Sequence, residues 1–397
     1  MERAELLQLL SPEGLRLLDS LAPYQSQADI VRSVTELRRA GHSAGLVAAV
    51  LSQSKLRARA AAKFGDFATQ LLYTEAGLEQ ATRLSVAALH AGRFRAAGIE
   101  RVADLGCGIG ADALAMAAIG LRLTAVERDE VTAAIASYNL AAFPNVTVVH
   151  ADATTVSLDE VDGVFLDPAR RTAGHGATTR ITDPGEYSPS LSFALELAAR
   201  MPAGIKLGPG LERELIPADV EAQWVSVNAD VVEMGLWSGP LARAGILRSA
   251  LVIGSAGTYE LTAAGDTEDA EVGELGPWLY EPDGAVIRAR LIGNLARSLD
   301  ARMVSAGIAW MTSGSAVDTP FAQRFAVEEV FPLDVGSLRK ELRARGIGVL
   351  EIKKRGVDID PAAFRKKLSL SGANSATLIL TRIAGIRKAV LARRPEA

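Results

Sequence analysis

Apolar positions change their spacing along this chain, and each change marks a different kind of structure. In the first 60 residues they recur at helical intervals. Leu15, Leu17, Leu18 and Leu21 form one stripe, and Ile30, Val31, Val34 and Leu37 a second that Gly41 ends. Ser11 followed by Pro12 predicts a helix start, because the serine oxygen satisfies a free N–H and proline fits the first turn. An alanine-rich third helix is predicted over 46–63. From residue 101 the pattern becomes short apolar runs separated by helical stretches. Runs ending near residues 104, 126, 150, 166 and 207 read as strands, with helices over 111–118, about 130–142 and 190–200. That alternation predicts a parallel sheet with helices on its faces. Residues 223–227 and 248–253 supply the last strands. The stretch 254–273 is polar, acidic and rich in Gly and Thr, and reads as a linker or hairpin. Beyond it the signals mix: a helix over 285–296, a strand over 349–354, a helix capped by Pro361 and a buried strand over 376–383. The predicted division is a helical region 1–63, an α/β domain 64–255 and an α+β domain 274–397.

Composition narrows the setting. The chain has 397 residues, 49% hydrophobic and 23% charged, which suits two or three ordinary globular domains. No apolar run approaches the about 20 residues of a membrane span. The N-terminus lacks a signal-peptide core, and one cysteine permits no internal disulfide, so a cytoplasmic chain is expected. The four histidines, His42, His90, His150 and His175, have no partners at zinc-like spacing, and no metal is expected. Charge is uneven. Residues 331–397 hold 15 Lys and Arg against 6 Asp and Glu, on a chain whose net charge is −4. A basic segment on an acidic body suggests a module that binds nucleic acid; solvated helix faces are the plainer account.

The candidate chemistry gathers at the strand ends. Val102-Ala103-Asp104-Leu105-Gly106-Cys107-Gly108-Ile109-Gly110 is a strand, a glycine turn and a helix start. Glycines there let backbone approach a ligand, and the helix start offers free N–H groups, so an adenosine-containing cofactor is expected. Gly106, Gly108 and Ala111 also satisfy the dinucleotide fingerprint. Glu127, Asp152 and Asp167 follow the next three runs, so four successive strands end in an acid. Ligands of open α/β sheets sit outside those strand ends. A nicotinamide reading explains Glu127, through the ribose hydroxyls, but not Asp104, Asp152 or Asp167. Cys107 reads either as a nucleophile or as a small residue filling a tight turn. Trp237 reads as core or as a stacking platform. Lys206, ending the fifth strand, is placed to meet a phosphate, to neutralise Asp167 or to be solvated.

The order Asp104 to Gly110, Glu127, Asp152 and Asp167-Pro168-Ala169-Arg170 resembles the class I S-adenosylmethionine-dependent methyltransferases, over roughly residues 65–255. The resemblance implies a Rossmann-like sheet. It implies that Asp104, Gly106, Cys107, Gly108 and Gly110 hold the methionine part of S-adenosyl-L-methionine. Glu127, with Arg128 beside it, would hold the ribose, and Asp152, with Ala153 beside it, the adenine. In the segment before the first strand, Gln80 and Thr82 would contact the methionine group, or else belong to an amphipathic helix. Asp167 to Arg170 stands where amino-group methyltransferases carry a tetrapeptide whose acid and proline carbonyl accept the two amino hydrogens. Asp167 and Pro168 match it. Ala169 replaces a frequent second proline, and Arg170 replaces a base-stacking aromatic; arginine can stack on a base or grip a phosphate. Covalent attack on pyrimidine carbons needs a thiol beyond the cofactor loop, and the chain has none. The C-terminal part resembles the THUMP-like domain found beside some RNA methyltransferases. Together these imply methylation of a purine amino group in tRNA or rRNA, docked through residues 331–397. A methyltransferase of protein or small molecules, and a non-catalytic cofactor-binding RNA binder, are the alternatives.

Overall fold

A computed structural model describes residues 1–24, 26–168 and 184–395. Four helices open the chain: α1 (Arg3–Leu9), α2 (Pro12–Ser20), α3 (Gln27–Arg39) and α4 (Ala44–Phe64). Ser11 caps α2 by accepting from the Gly14 amide, and Ser43 caps α4 through Leu46. Then come α5 (Glu75–Gln80) and α6 (Leu84–Ala96). Alternation follows: β1 (Arg101–Leu105), α7 (Ala111–Ala118), β2 (Arg122–Glu127), α8 (Glu130–Leu140), β3 (Val146–His150), β4 (Gly163–Leu166), α9 (Leu191–Ala198) and β5 (Ala203–Leu207). The five strands are parallel, in the order β3-β2-β1-β4-β5. β1 after its first residue, β4 and β5 are buried throughout, as strands covered on both faces must be.

β6 (Glu221–Val227), β7 (Asp230–Trp237), β8 (Arg248–Gly254) and β9 (Gly257–Ala263) follow, in the order β7-β6-β8-β9. The polar stretch after residue 254 is a hairpin, with β9 antiparallel to β8. Trp237 is core: it is 1% exposed and packs edge-on against Phe94. A Cβ on Gly204 would lie 2.5 Å from the Trp237 ring, so β5 needs its glycine there.

The chain divides into two compact units, Met1–Leu207 with Leu236–Ala242, and Gly208–Gly235 with Arg243–Ala397. These cuts differ from those read off the periodicity. In the first unit the N-terminal helices share one apolar cluster with the sheet, where Leu9, Val50 and Phe64 join Leu72, Phe94, Val102 and Met116.

The second unit carries its own sheet. Its elements are β10 (Trp278–Pro282), α10 (Gly284–Arg288), α11 (Ile292–Ser298), β11 (Arg302–Met303), β12 (Met311–Ser313), β13 (Ala322–Pro332), α12 (Val335–Ala344), β14 (Ile347–Lys354), α13 (Pro361–Leu368), β15 (Asn374–Ile383) and β16 (Ile386–Arg393). The strand order is β11-β12-β10-β13-β16-β15-β14. The single helix expected over 285–296 is two, because Arg290 takes a left-handed conformation between α10 and α11. β15 shows the two-residue period plainly. Leu378 and Leu380 pack with Leu338, Leu342, Phe364 and Leu368 of α12 and α13, while Ile379 joins Trp310 and Phe325 in a second cluster.

Candidate active site

Register brings Glu127 and Asp167 to one level, two residues beyond Asp104. Leu105, the last residue of β1, pairs with Val126 and with Leu166, the residues before Glu127 and Asp167. The glycine loop leaves β1 at that level. Gly106, Gly108 and Gly110 all have positive φ, which side chains rarely tolerate. The Gly106 and Cys107 amides both donate to the Val126 carbonyl, at 2.9 and 3.0 Å. A Cβ on Gly106 would sit 3.1 Å from the Asp167 carbonyl oxygen, so only glycine lets the loop lie against the end of β4. Gly110 opens α7.

The four acids differ in state. Glu127 accepts from the Gly108 amide at 3.1 Å and the Asp129 amide at 2.8 Å. Burial pushes its carboxyl above the usual range, and those amides partly offset the rise. Asp152 accepts from the Thr154 hydroxyl at 2.6 Å and the Thr154 amide at 2.9 Å, which hold it below the usual range. Arg128 reaches to 4.0 Å from Asp152, and Ala153 is buried beside it. Asp104 is 1% exposed, and neither carboxyl oxygen finds a hydrogen-bond partner among the described residues. Burial first, then the charges of Asp112 and Asp167, push it well above the usual range. An orphaned buried carboxyl is costly, and a partner from outside the chain would relieve that cost. A cationic N–H donor beside the glycine loop would do so, and the methionine ammonium of S-adenosyl-L-methionine is such a group.

Asp167 is ion-paired. Its Oδ2 lies 2.5 Å from Lys206 Nζ, at the end of β5. Lys206 also donates to Thr82 Oγ1 at 2.7 Å. The Thr82 hydroxyl donates to Asp112 Oδ2 at 2.6 Å, and Asp112 Oδ1 lies 2.8 Å from His90 Nδ1. Burial opposes the Asp112 charge, but the bonds from His90 and Thr82 outweigh it and hold the carboxyl below the usual range.

Several residues that support the site give no signal in the sequence. Gln53 of α4 brackets Tyr73, donating to its carbonyl at 2.6 Å and accepting from its amide at 3.0 Å. Asn139 of α8 donates to the carbonyls of Leu72 and Ile109 and accepts from the Leu72 amide. The chain before α5 is thereby tied to the glycine loop. A Cβ on Gly77 would meet Ile109 at 2.5 Å, so α5 rests directly on that loop. Lys63 donates to the carbonyls of Leu78, Glu79 and Ala81, which caps the end of α5. Burial and the nearby Lys206 charge lower its pKa to about 8. In the amino-acid order these are only polar residues on helix faces, and most residues of that kind are simply solvated.

Of the predicted residues, Asp104, Gly106, Cys107, Gly108, Gly110, Glu127 and Asp167 are brought together. Asp152, Arg128 and Ala153 flank them past β2 and β3. Gln80 is exposed at the end of α5, while Thr82 is buried. Cys107 is buried, and burial with the Asp104 charge pushes its thiol well up, which suits a turn filler and not a thiolate nucleophile. His150 lies 3.1 Å from the Arg128 carbonyl. Pro168 is buried. Arg170, with Ala169, Arg171 and His175, lies outside the described residues.

Comparison with known proteins adds three findings. Residues 322–394 match a family described as THUMP domain-like, and residues 2–60 match a domain of unknown function, DUF8688. Two proteins of Mycobacterium tuberculosis, strains CDC 1551/Oshkosh and H37Rv, are 33% identical over 338 residues. The alignments cover 83% of this chain and 90% of each relative, and both are described as uncharacterized S-adenosylmethionine-dependent methyltransferases. A crystal structure from Porphyromonas gingivalis W83, of a protein assigned as a methyltransferase, covers 100% of both chains at 20% identity with a TM-score of 0.73. That likeness shows the fold.

Proposed function

Because the chain belongs to the S-adenosylmethionine-dependent methyltransferases, we propose that it methylates an exocyclic amino group of a purine in RNA, tRNA or rRNA. In this reading Asp104 and the loop residues Gly106, Cys107, Gly108 and Gly110 hold the methionine end of the cofactor. Glu127 and Arg128 hold its ribose, and Asp152 and Ala153 its adenine. Gln80 borders the methionine end from α5. The bound cofactor supplies an electrophilic methyl group on its sulfonium. What the chain must do is orient a nucleophile in line with that methyl and keep water out, which is worth several kcal/mol.

One observation carries the choice of nucleophile. The end of β4 lies against Gly106, with the Asp167 backbone carbonyl 3.1 Å from where a Cβ on that glycine would stand, and in this reading the Asp167 carboxylate and the Pro168 carbonyl serve as the two acceptors. Two acceptors side by side suit a group with two hydrogens. Accepting both hydrogens of a planar amino group leaves its lone pair facing the methyl. The nitrogen's surplus proton then leaves along its bond to Asp167. Arg170 is assigned to the incoming base or its phosphate.

RNA is the acceptor favoured by the second unit. The segment 331–397 is basic and overlaps the THUMP domain-like match. Arg365, Lys366 and Lys367 are exposed on α13, and Lys340 and Arg343 on α12. We keep 1–63, 64–255 and 274–397 as the functional divisions, with helices, catalysis and RNA docking in that order. Among the described residues no helix is long and apolar enough to cross a membrane. We assign the reaction to the cytoplasm, where RNA and cofactor meet.

Mass spectrometry of nucleosides from total RNA, with and without the gene, tests the reading. One N-methylated purine is expected to vanish without the gene. Unchanged RNA, with methyl transfer to protein or a small molecule instead, would overturn it.

A further inference from the structure

We infer that Lys206 is the positioning residue of the methyl-transfer centre, locked in place by Thr82, so that the acceptor carboxylate is fixed before substrate arrives. This rests on Asp167 being the acceptor of the substrate's hydrogen.

Lys206 is 6% exposed. Lysines are almost never so buried unless paired, and a buried ammonium is tolerated only when its hydrogens find acceptors. Here they find Asp167 and Thr82. The Thr82 hydroxyl has one hydrogen. It receives the bond from Lys206, so that hydrogen goes to Asp112, at 2.6 Å. Asp112 in turn holds His90. Donors and acceptors therefore alternate along Asp167, Lys206, Thr82, Asp112 and His90, and each bond fixes the direction of the next.

The five residues lie on five segments: the end of β4, β5, the turn between α5 and α6, the first turn of α7, and α6. α7 is the helix that the glycine loop opens. One network thus sets both the loop that receives the cofactor and the carboxylate that receives the substrate. Misplacement of about 1 Å in such a centre costs about 100-fold in rate. The network also assigns Thr82 to holding Lys206, because its only hydrogen is already spent.

A substrate class follows. A carboxylate held beside an ammonium presents only acceptor oxygens. The nucleophile that docks on it must carry hydrogen. An exocyclic amine qualifies, and a bare ring nitrogen is rejected because two acceptors would face each other.

The test uses full-length protein, tritiated S-adenosylmethionine and total RNA from cells lacking the gene. Lys206→Met is expected to lower kcat about 100-fold, with KM for RNA and cofactor affinity by calorimetry nearly unchanged. Thr82→Val gives a smaller loss in kcat, and Thr82→Ser recovers part of it. In an Asp167→Ala background, Lys206→Met costs nothing further. A Lys206→Met enzyme at wild-type kcat, or an undiminished loss in the Asp167→Ala background, would overturn the inference. If wild-type protein methylates no RNA, the proposed function falls, and lysine-detected nitrogen NMR still decides the network. One exchange-protected ammonium signal should vanish in Lys206→Met and move in Asp167→Asn and Thr82→Val. No such signal, or one indifferent to Asp167, sinks the network.

Discussion

The two units each bury a cluster of charges, and the clusters are built on opposite terms. In the second unit Glu221 is fully buried, yet Arg243 bonds to it and to Glu260, and Gln223 and Ser249 complete the Glu260 shell. Burial opposes the Glu260 charge, but the bonds from Arg243 and Ser249 outweigh it and hold that carboxyl below the usual range. The first unit buries Asp104, Asp112 and Lys206 around a half-buried Asp167 and leaves Asp104 with no hydrogen-bond partner among the described residues. A cluster complete in itself is structural. A cluster completed only by something from outside is a site.

The contrast can be broken by mutation. Asp167→Ala is expected to have the largest effect, lowering kcat about 100- to 1000-fold while cofactor binding by calorimetry is retained. Arg243→Met comes next and should do the reverse. It takes the guanidinium away from the buried Glu221, at a cost of about 3 kcal/mol, the low end for a buried pair because the arginine is partly exposed. Denaturant unfolding should register that loss with cofactor affinity unchanged. Asp104→Asn should weaken cofactor binding by about 1.5–3 kcal/mol, the worth of a hydrogen bond to a charged group, and leave the unfolding midpoint at pH 7 no lower. The reason is linkage. A carboxyl raised in the folded state keeps a proton that the unfolded chain gives up, so it costs stability as pH rises above the ordinary aspartate value.

The smaller effects sharpen the same comparison. Binding a cation beside Asp104 should expel its proton, so cofactor affinity should rise with pH. Calorimetry in buffers of different ionisation enthalpy should count up to one proton released, and Asp104→Asn should abolish it. Arg365→Ala, Lys366→Ala and Lys367→Ala together should lower the slope of log affinity for RNA against log salt by about 2–3, at about 0.7–0.9 per phosphate contact. Cofactor binding should not respond.

The sequence made the strands, the glycine loop and the ladder of acids legible, because strand burial and tight turns depend on local residue type. Glu127 and Asp167 share one level, two residues beyond Asp104, because parallel register follows from the alternation. What the sequence could not carry is partnership. Nothing near Asp104 says that it finds no hydrogen-bond partner among the described residues, and nothing near Thr82 says that Lys206, over a hundred residues away, will take its lone pair. His90 and Asp112 read as isolated polar residues on apolar helices, yet they are one pair. The break at Arg290 was hidden because a left-handed arginine has no local signature.

Gln53 gives the N-terminal helices a different standing from the one their sequence suggests. It stands in for a neighbouring strand, offering Tyr73 the amide and carbonyl bonds that a sheet would otherwise provide. A chain begun at residue 64 would lose that surrogate and Lys63 at one stroke. The floor beneath the cofactor loop would then loosen, although no loop residue had been touched. The opening helices are foundations of the glycine loop and not an appendage to it.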